Sequence, residues 1–165
     1  MCNQPLAGDG FDIGAFRRAL GNFATGVTVV TAVDPGGRKA GMTANSFNAV
    51  SLEPPLILWS ISKRSASCEV FAAATHFAVN ILAAGQKAVS VNFAGPVLDR
   101  FVDIDHTPGV GGAPLLAGCA ARLQCENHQW VDGGDHWILI GKVVAFDDFG
   151  RAPLVYHQGA YAKLG

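Results

Sequence analysis

Residues 117–146 run AGCAARLQCENHQWVDGGDHWILIGKVVAF. Two segments of strand length, Ala117 to Asn127 and Trp137 to Phe146, flank a turn region at Gly133-Gly134-Asp135-His136. Paired glycines followed by Asp supply the backbone freedom that a tight reversal needs. Cys119 and Cys125 are an even number of residues apart, so on one strand they share a face with Ala121 and Leu123. Arg122, Gln124 and Glu126 face away. That pattern marks a core face and makes both cysteines buried thiols.

Shorter segments of the same kind lie upstream. Val27 to Val33 is rich in β-branched residues, Asp34-Pro35-Gly36-Gly37 is a turn, and Arg38 to Ala44 reads as the return strand. Leu56 to Ile61 is an apolar run of strand length, expected to be buried on both sides. His76 to Leu82 alternates, with Phe77, Val79 and Ile81 on one face and Asn80 on the other. Leu154 to Tyr161 closes the chain. Helices are expected in three places. Asp12 caps one that carries Ile13, Phe16, Leu20 and Phe23 on a stripe. Ser65 or Ser67 caps a second, with Val70, Phe71 and Ala74 as its apolar positions. Gln86 to Phe93 is the third. Gly109-Val110-Gly111-Gly112 follows no strand, so it reads as a loop and not as a dinucleotide-binding turn. Hairpins outnumber βαβ units. The fold class is therefore mainly β with short helices, an antiparallel sheet of six to seven strands, and a closed barrel is expected because closure removes edges.

The chain has 165 residues, which predicts one domain: a flexible lead-in at 1–10 and a single unit at 11–165. Only 15% of residues are charged, against a usual share of about 25%. So lightly charged a surface suggests a second copy covering part of it. A net charge of −1 gives no reason to expect nucleic acid or an acidic membrane as partner. No apolar run reaches the ~20 residues of a membrane-spanning helix. Met1 to Gly10 lacks signal-peptide character, so the cytoplasm is the expected location. Cys125, His128 and His136 match no standard zinc spacing, and no metal is expected.

Gly41-Met42-Thr43-Ala44-Asn45-Ser46-Phe47 places small and hydroxyl residues where a β-rich protein normally has Val and Ile. It reads either as a polar loop after a hairpin or as a wall that hydrogen-bonds a flat, heteroatom-rich ring. Ser60-Ile61-Ser62-Lys63-Arg64-Ser65 runs from a strand into a helix N-terminus. It is either a capped helix with a solvated basic pair or an anion site. His136 is either a solvated turn residue or a functional imidazole.

Further segments fall in a fixed order. Phe16-Arg17-Arg18-Ala19-Leu20 precedes Phe23-Ala24-Thr25-Gly26-Val27-Thr28-Val29-Val30-Thr31. Then come the Gly41–Phe47 stretch, Ser51-Leu52-Glu53-Pro54-Pro55, His76-Phe77-Ala78-Val79-Asn80-Ile81-Leu82, Phe93-Ala94, Asp99-Arg100-Phe101, Gly134-Asp135-His136 and Tyr156-His157-Gln158-Gly159-Ala160-Tyr161. The ordered set resembles the short-chain flavin reductases over nearly the whole chain from Phe11. The resemblance implies an FMN-binding split barrel that works as a homodimer. It implies reduction of FMN or FAD with NADH or NADPH as co-substrate, usually to supply a separate flavin-dependent monooxygenase.

Site residues carried over by the resemblance are Thr43, Ala44, Asn45, Ser46 and Ser51 for the flavin ring. Ser60, Ser62, Lys63 and Ser65 would hold its phosphate, with Phe93 over the dimethylbenzene edge and Tyr161 also at the cofactor. The Gly-Asp-His motif puts His136 beside the nicotinamide as the catalytic residue. The sequence departs from the family's pattern at His157-Gln158, where many relatives carry a basic residue. The sequence as read ends soon after this segment, so no tail is expected to cover the site. Alternatives on the same barrel are a flavin-binding electron-transfer protein, a pyridoxamine-phosphate-type oxidase and a cob(II)alamin or ferric reductase. Gly134-Asp135-His136 favours the reductase over the carrier, and the oxidase's basic cluster is not evident.

Overall fold

The computed structural model describes residues 10–96 and 99–164. The expected flexible lead-in lies outside them except for Gly10. Helix α1 (Ile13–Gly21) comes first, followed by strands β1 (Thr25–Gly26), β2 (Thr28–Val33), β3 (Lys39–Ala44), β4 (Asn48–Leu52) and β5 (Pro55–Ser62). Helix α2 (Cys68–Ala73), strand β6 (His76–Ile81) and helix α3 (Lys87–Ala94) form the middle. Strands β7 (His106–Pro108), β8 (Pro114–Leu116), β9 (Ala121–Asp132), β10 (His136–Asp148), β11 (Val155–His157) and β12 (Ala160–Ala162) complete the described chain. Val110–Gly112 is a 3₁₀ turn.

Seven strands form one antiparallel sheet in the order β3-β2-β6-β9-β10-β5-β4. The sheet does not close as expected: β3 and β4 remain its edges. It nevertheless curls. Ala40 and Ala44 of β3 share one buried cluster with Trp59 and Ile61 of β5 and Leu139 of β10. The gap has a local cause. Between β3 and β4 the chain crosses over, and the Ser46 hydroxyl there accepts the Ser60 N–H at 2.9 Å. A side chain thus does what a ladder of backbone bonds would do in a closed barrel. The outer edge of β3 is covered. Arg100 donates to the Gly41 carbonyl at 2.7 Å, and the Thr43 hydroxyl donates to the Ser90 carbonyl of α3 at 2.6 Å. Gly41 permits this approach, since a Cβ there would lie 2.5 Å from the Phe93 ring.

Other boundaries move for identifiable reasons. Gly118 is left-handed at φ 77°, so the strand expected from Ala117 begins at Ala121 and leaves Cys119 ahead of it. Both Cys119 and Cys125 are nevertheless fully buried. Burial pushes their thiols up, to about 11 and about 12 respectively. β5 is fully buried on one side only, at Ile57, Trp59 and Ile61; Leu58 and Ser60 on the other side are partly buried. Buried Asn80 donates to the Val29 carbonyl and Thr31 hydroxyl and accepts the Leu116 N–H at 2.9 Å. That network fastens β8 across the sheet.

α1 is capped as expected, with Asp12 accepting the Ala15 N–H at 2.9 Å. None of its residues is buried. Ile13, Phe16 and Leu20 are 57%, 48% and 58% exposed, and Phe23 beyond the helix is 77% exposed. Its C-terminal end is tied to the β11–β12 turn, where Gln158 donates its backbone N–H to the Gly21 carbonyl at 2.9 Å.

Candidate flavin and nicotinamide site

The register of β5 against β10 builds the site. Ser62 pairs with His136 and Ser60 with Ile138. Successive side chains on a strand alternate faces, so Ser60, Ser62 and His136 share one. The β3–β4 crossover lies beside them. Together Thr43, Ala44, Asn45, Ser46, Ser60, Ser62 and His136 line a groove of about 300 Å³. Seven of the twelve residues expected at the site thus meet in one place, from three strands and a crossover.

Hydrogen bonds show which of these groups are free. Ser46 is committed to the β5 backbone and Thr43 to Ser90. Ser62 accepts the Arg64 N–H at 3.3 Å. Among the described residues, the Asn45 amide and the Ser60 hydroxyl have no side-chain hydrogen bond. They are the groups available to the polar edge of a flat ring. His136 is the first residue of β10 and so belongs to a strand, not to the turn. Its Nδ1 lies 2.7 Å from Asp135 Oδ1. That bond holds the Asp135 carboxyl below the usual carboxylate range. With its proton on Nδ1 toward the carboxylate, the ring keeps Nε2 for a second partner.

The other five residues lie elsewhere. Lys63 turns to Asp132, at 2.7 Å, and sits 4.6 Å over the Trp137 ring. Asp132 is held below its usual range by that bond. Ser65 accepts the Ser67 N–H at 3.3 Å, and α2 starts only at Cys68, with Ser67 in the cap position and no side-chain bond there. Ser51 pairs with Leu56 at the far end of β4 and β5 and accepts the Glu53 N–H at 3.2 Å. Phe93 is 1% exposed and packs edge-on against Phe101 in the core, so its ring covers no open groove. Tyr161 donates to or accepts from Ser90 at 2.8 Å and lines an adjoining cavity of about 170 Å³ with Thr43 and Asn45. Asn45 therefore borders both spaces.

Two residues near the site carry little local signal. Asp132 gains a role only through Lys63, 69 residues away. Arg17 borders a third cavity that also reaches Asn45 and Ser46. Arg17 stands within a quoted motif, but only the fold brings the two segments together.

Comparison with known proteins fits this geometry. The family model described as a flavin reductase like domain matches residues 20–165. The stachydrine N-demethylase reductase subunit Stc3 of Rhizobium meliloti is 45% identical over 94% of this chain and 68% of its own length. The FMN reductase (NADH) SmoA of Agrobacterium fabrum is 43% identical over 91% of this chain and 85% of its own. The chain spans about half the length of two other curated relatives that it matches, 49% and 47%. Among solved structures, the NADH:FAD oxidoreductase SgcE6 of Streptomyces globisporus, in complex with NAD and FAD fragments, superposes with a TM-score of 0.89. It is 38% identical, and 93% of each chain is covered. The fold is the split barrel of these proteins, and the chain belongs to the flavin reductase like domain family.

Proposed function

We propose that this chain is an NAD(P)H-dependent flavin oxidoreductase that reduces FMN or FAD for a separate flavin-dependent monooxygenase. The observation that carries the reading is His136, held by Asp135 at 2.7 Å and facing one groove with Asn45, Ser60 and Ser62. The donor set fits a flavin. Asn45 and Ser60 offer unspent polar groups for the pyrimidine edge, and Lys63 and Arg64, just beyond the end of β5, would supply positive charge for a phosphate. When bound, the flavin accepts the hydride that the reduced nicotinamide supplies. The chain's own work is orientation: the Ser46–Ser60 clasp fixes the crossover, and Asp135 fixes the imidazole. His136 would hold the nicotinamide amide through Nε2. Lys63 reaches the phosphate only by leaving Asp132.

We also read residues 11–165 as one domain that works as a homodimer. Phe11, Ile13, Phe16, Leu52 and Phe146 are apolar and about half-exposed or more, with Leu52 at 93%. A second copy packed on α1 would take Phe11, Ile13 and Phe16 out of water. Among the described residues Cys68, Cys119 and Cys125 are free thiols, which suits a reducing cytoplasm. No described helix is long and apolar enough to cross a membrane.

Steady-state oxidation of NADH and NADPH with excess FMN, FAD or riboflavin tests the reading. Flavin-dependent turnover is expected with at least one pair. Flavin binding without turnover would assign the chain to electron transfer instead.

A further inference from the structure

We propose that Asp132 is a built-in competitor for the flavin phosphate: it draws Lys63 away from that phosphate and so keeps the flavin exchangeable. The inference rests on the reductase reading, in which reduced flavin must leave for a second protein. Lys63 lies one residue beyond the Ser62–His136 pair, and its N–H donates to the Asp135 carbonyl at 3.0 Å. The β5–β10 ladder therefore holds the Lys63 backbone at the rim of the groove, next to Ser62. Its side chain remains free to turn. It turns to Asp132, at 2.7 Å, and lies 4.6 Å over the Trp137 ring.

In this pair the acid is fixed and the base is mobile. Asp132 faces Trp137 across the β9–β10 hairpin. Its Oδ1 accepts the Gly134 N–H at 2.9 Å, in a turn where Gly134 is left-handed at φ 86°. Oδ2 is thereby presented to the Lys63 ammonium, and the indole face gives that ammonium a second hold. Lysine suits a shared role, because its charge is compact and its stem flexible. The pair is also weak enough to exchange. Its side chains are 31% and 65% exposed, and exposed ion pairs shift an equilibrium only a few-fold. A phosphate monoester carries close to two negative charges where a carboxylate carries one, so it can win the lysine. Riboflavin has no phosphate and leaves the pair intact. The bond holds Asp132 below the usual carboxylate range, so the competitor is charged at neutral pH. Arg64, the next cation, has no ion pair among the described residues. One positive charge at this end of β5 is thus standing, and the other is contested.

The test is Asp132→Asn, which removes the charge but keeps an oxygen for the Gly134 N–H and so keeps the turn. Fluorescence titration is expected to show FMN bound about two- to fivefold tighter, with riboflavin unchanged. Stopped-flow displacement should show FMN leaving more slowly by a similar factor. Asp132→Glu, which restores the charge, returns both values toward the native ones. In a Lys63→Ala background the gain from Asp132→Asn disappears, because Asp132 acts on the flavin only through Lys63. Unchanged FMN affinity, or equal tightening for FMN and riboflavin, would overturn the proposal. So would a gain that persists in Lys63→Ala, which would make Asp132 a plain repulsive charge. A lowered Tm with weaker binding of both flavins would reduce Asp132 to a turn residue. Failure of the reductase reading looks different: the FMN and riboflavin affinities differ between native and Asp132→Asn protein as expected, yet neither protein oxidises NADH or NADPH with any flavin.

Discussion

His136 gains its meaning from Asp135. With Nδ1 held at 2.7 Å, the ring has one orientation and one free nitrogen. His136→Ala is expected to leave flavin affinity nearly intact and to harm nicotinamide use. A single hydrogen bond is worth about 0.5–1.5 kcal/mol, so stopped-flow reduction of bound flavin should slow roughly three- to tenfold. A loss beyond about a hundredfold would point to misaligned rings instead. Asp135 sets the pH window. Its folded value lies below the ordinary 3.8, so the contact stabilises at all pH above that value and is lost as the pH falls through the lower folded one. NMR of the His136 ring should therefore show the contact unchanged by Asp135 protonation down to about pH 4. Lys63 is expected to trade Asp132 for phosphate, so Lys63→Ala with Ser65→Ala should weaken FMN far more than riboflavin. Equal losses in fluorescence titrations would remove both from the phosphate site. At this scale the sequence shows which side chains can bond but not which already do. Thr43 and Ser46 read as free donors, yet their partners Ser90 and Ser60 stand 47 and 14 residues away.

At the scale of the element, strands were legible because alternation reports a half-buried sheet face locally. Phe77 and Val79 point into the core as the pattern implies. Sheet closure was not legible, since it depends on how β3 meets β5 across the crossover. Phe93 illustrates the same limit: a helix period shows that a face is apolar, not whether protein or ligand covers it. Two substitutions probe these joints. Gly41→Ala drives a methyl against the buried Phe93 ring and should cost about 1–3 kcal/mol, read as a lowered Tm. Asn80→Ala leaves the Leu116 N–H without its acceptor and removes the amide that donates to the Val29 carbonyl and the Thr31 hydroxyl. Each orphaned buried group costs about 1–3 kcal/mol. Hydrogen exchange in β7 and β8 should speed up before that in β9 and β10, and uniform loss of protection would refute a local role.

For the whole molecule, α1 is the informative feature. The apolar stripe was readable from spacing, but its cover was not, because none of the described residues buries it. Ile13→Asp with Phe16→Asp should convert a dimer to monomers in sedimentation without altering the circular dichroism of the sheet. Native protein that sediments as a monomer with full activity would contradict the assembly. The depth of Cys119 and Cys125 has a consequence for working life. Reduced flavin released into aerated solution reacts with dioxygen and yields hydrogen peroxide, which attacks thiolates. Both sulfurs are kept protonated and away from solvent, so neither offers a thiolate to that by-product. The β-rich core would therefore outlast an oxidant generated by the proposed turnover, and among the described residues the partly exposed Cys68 is where such damage would first register.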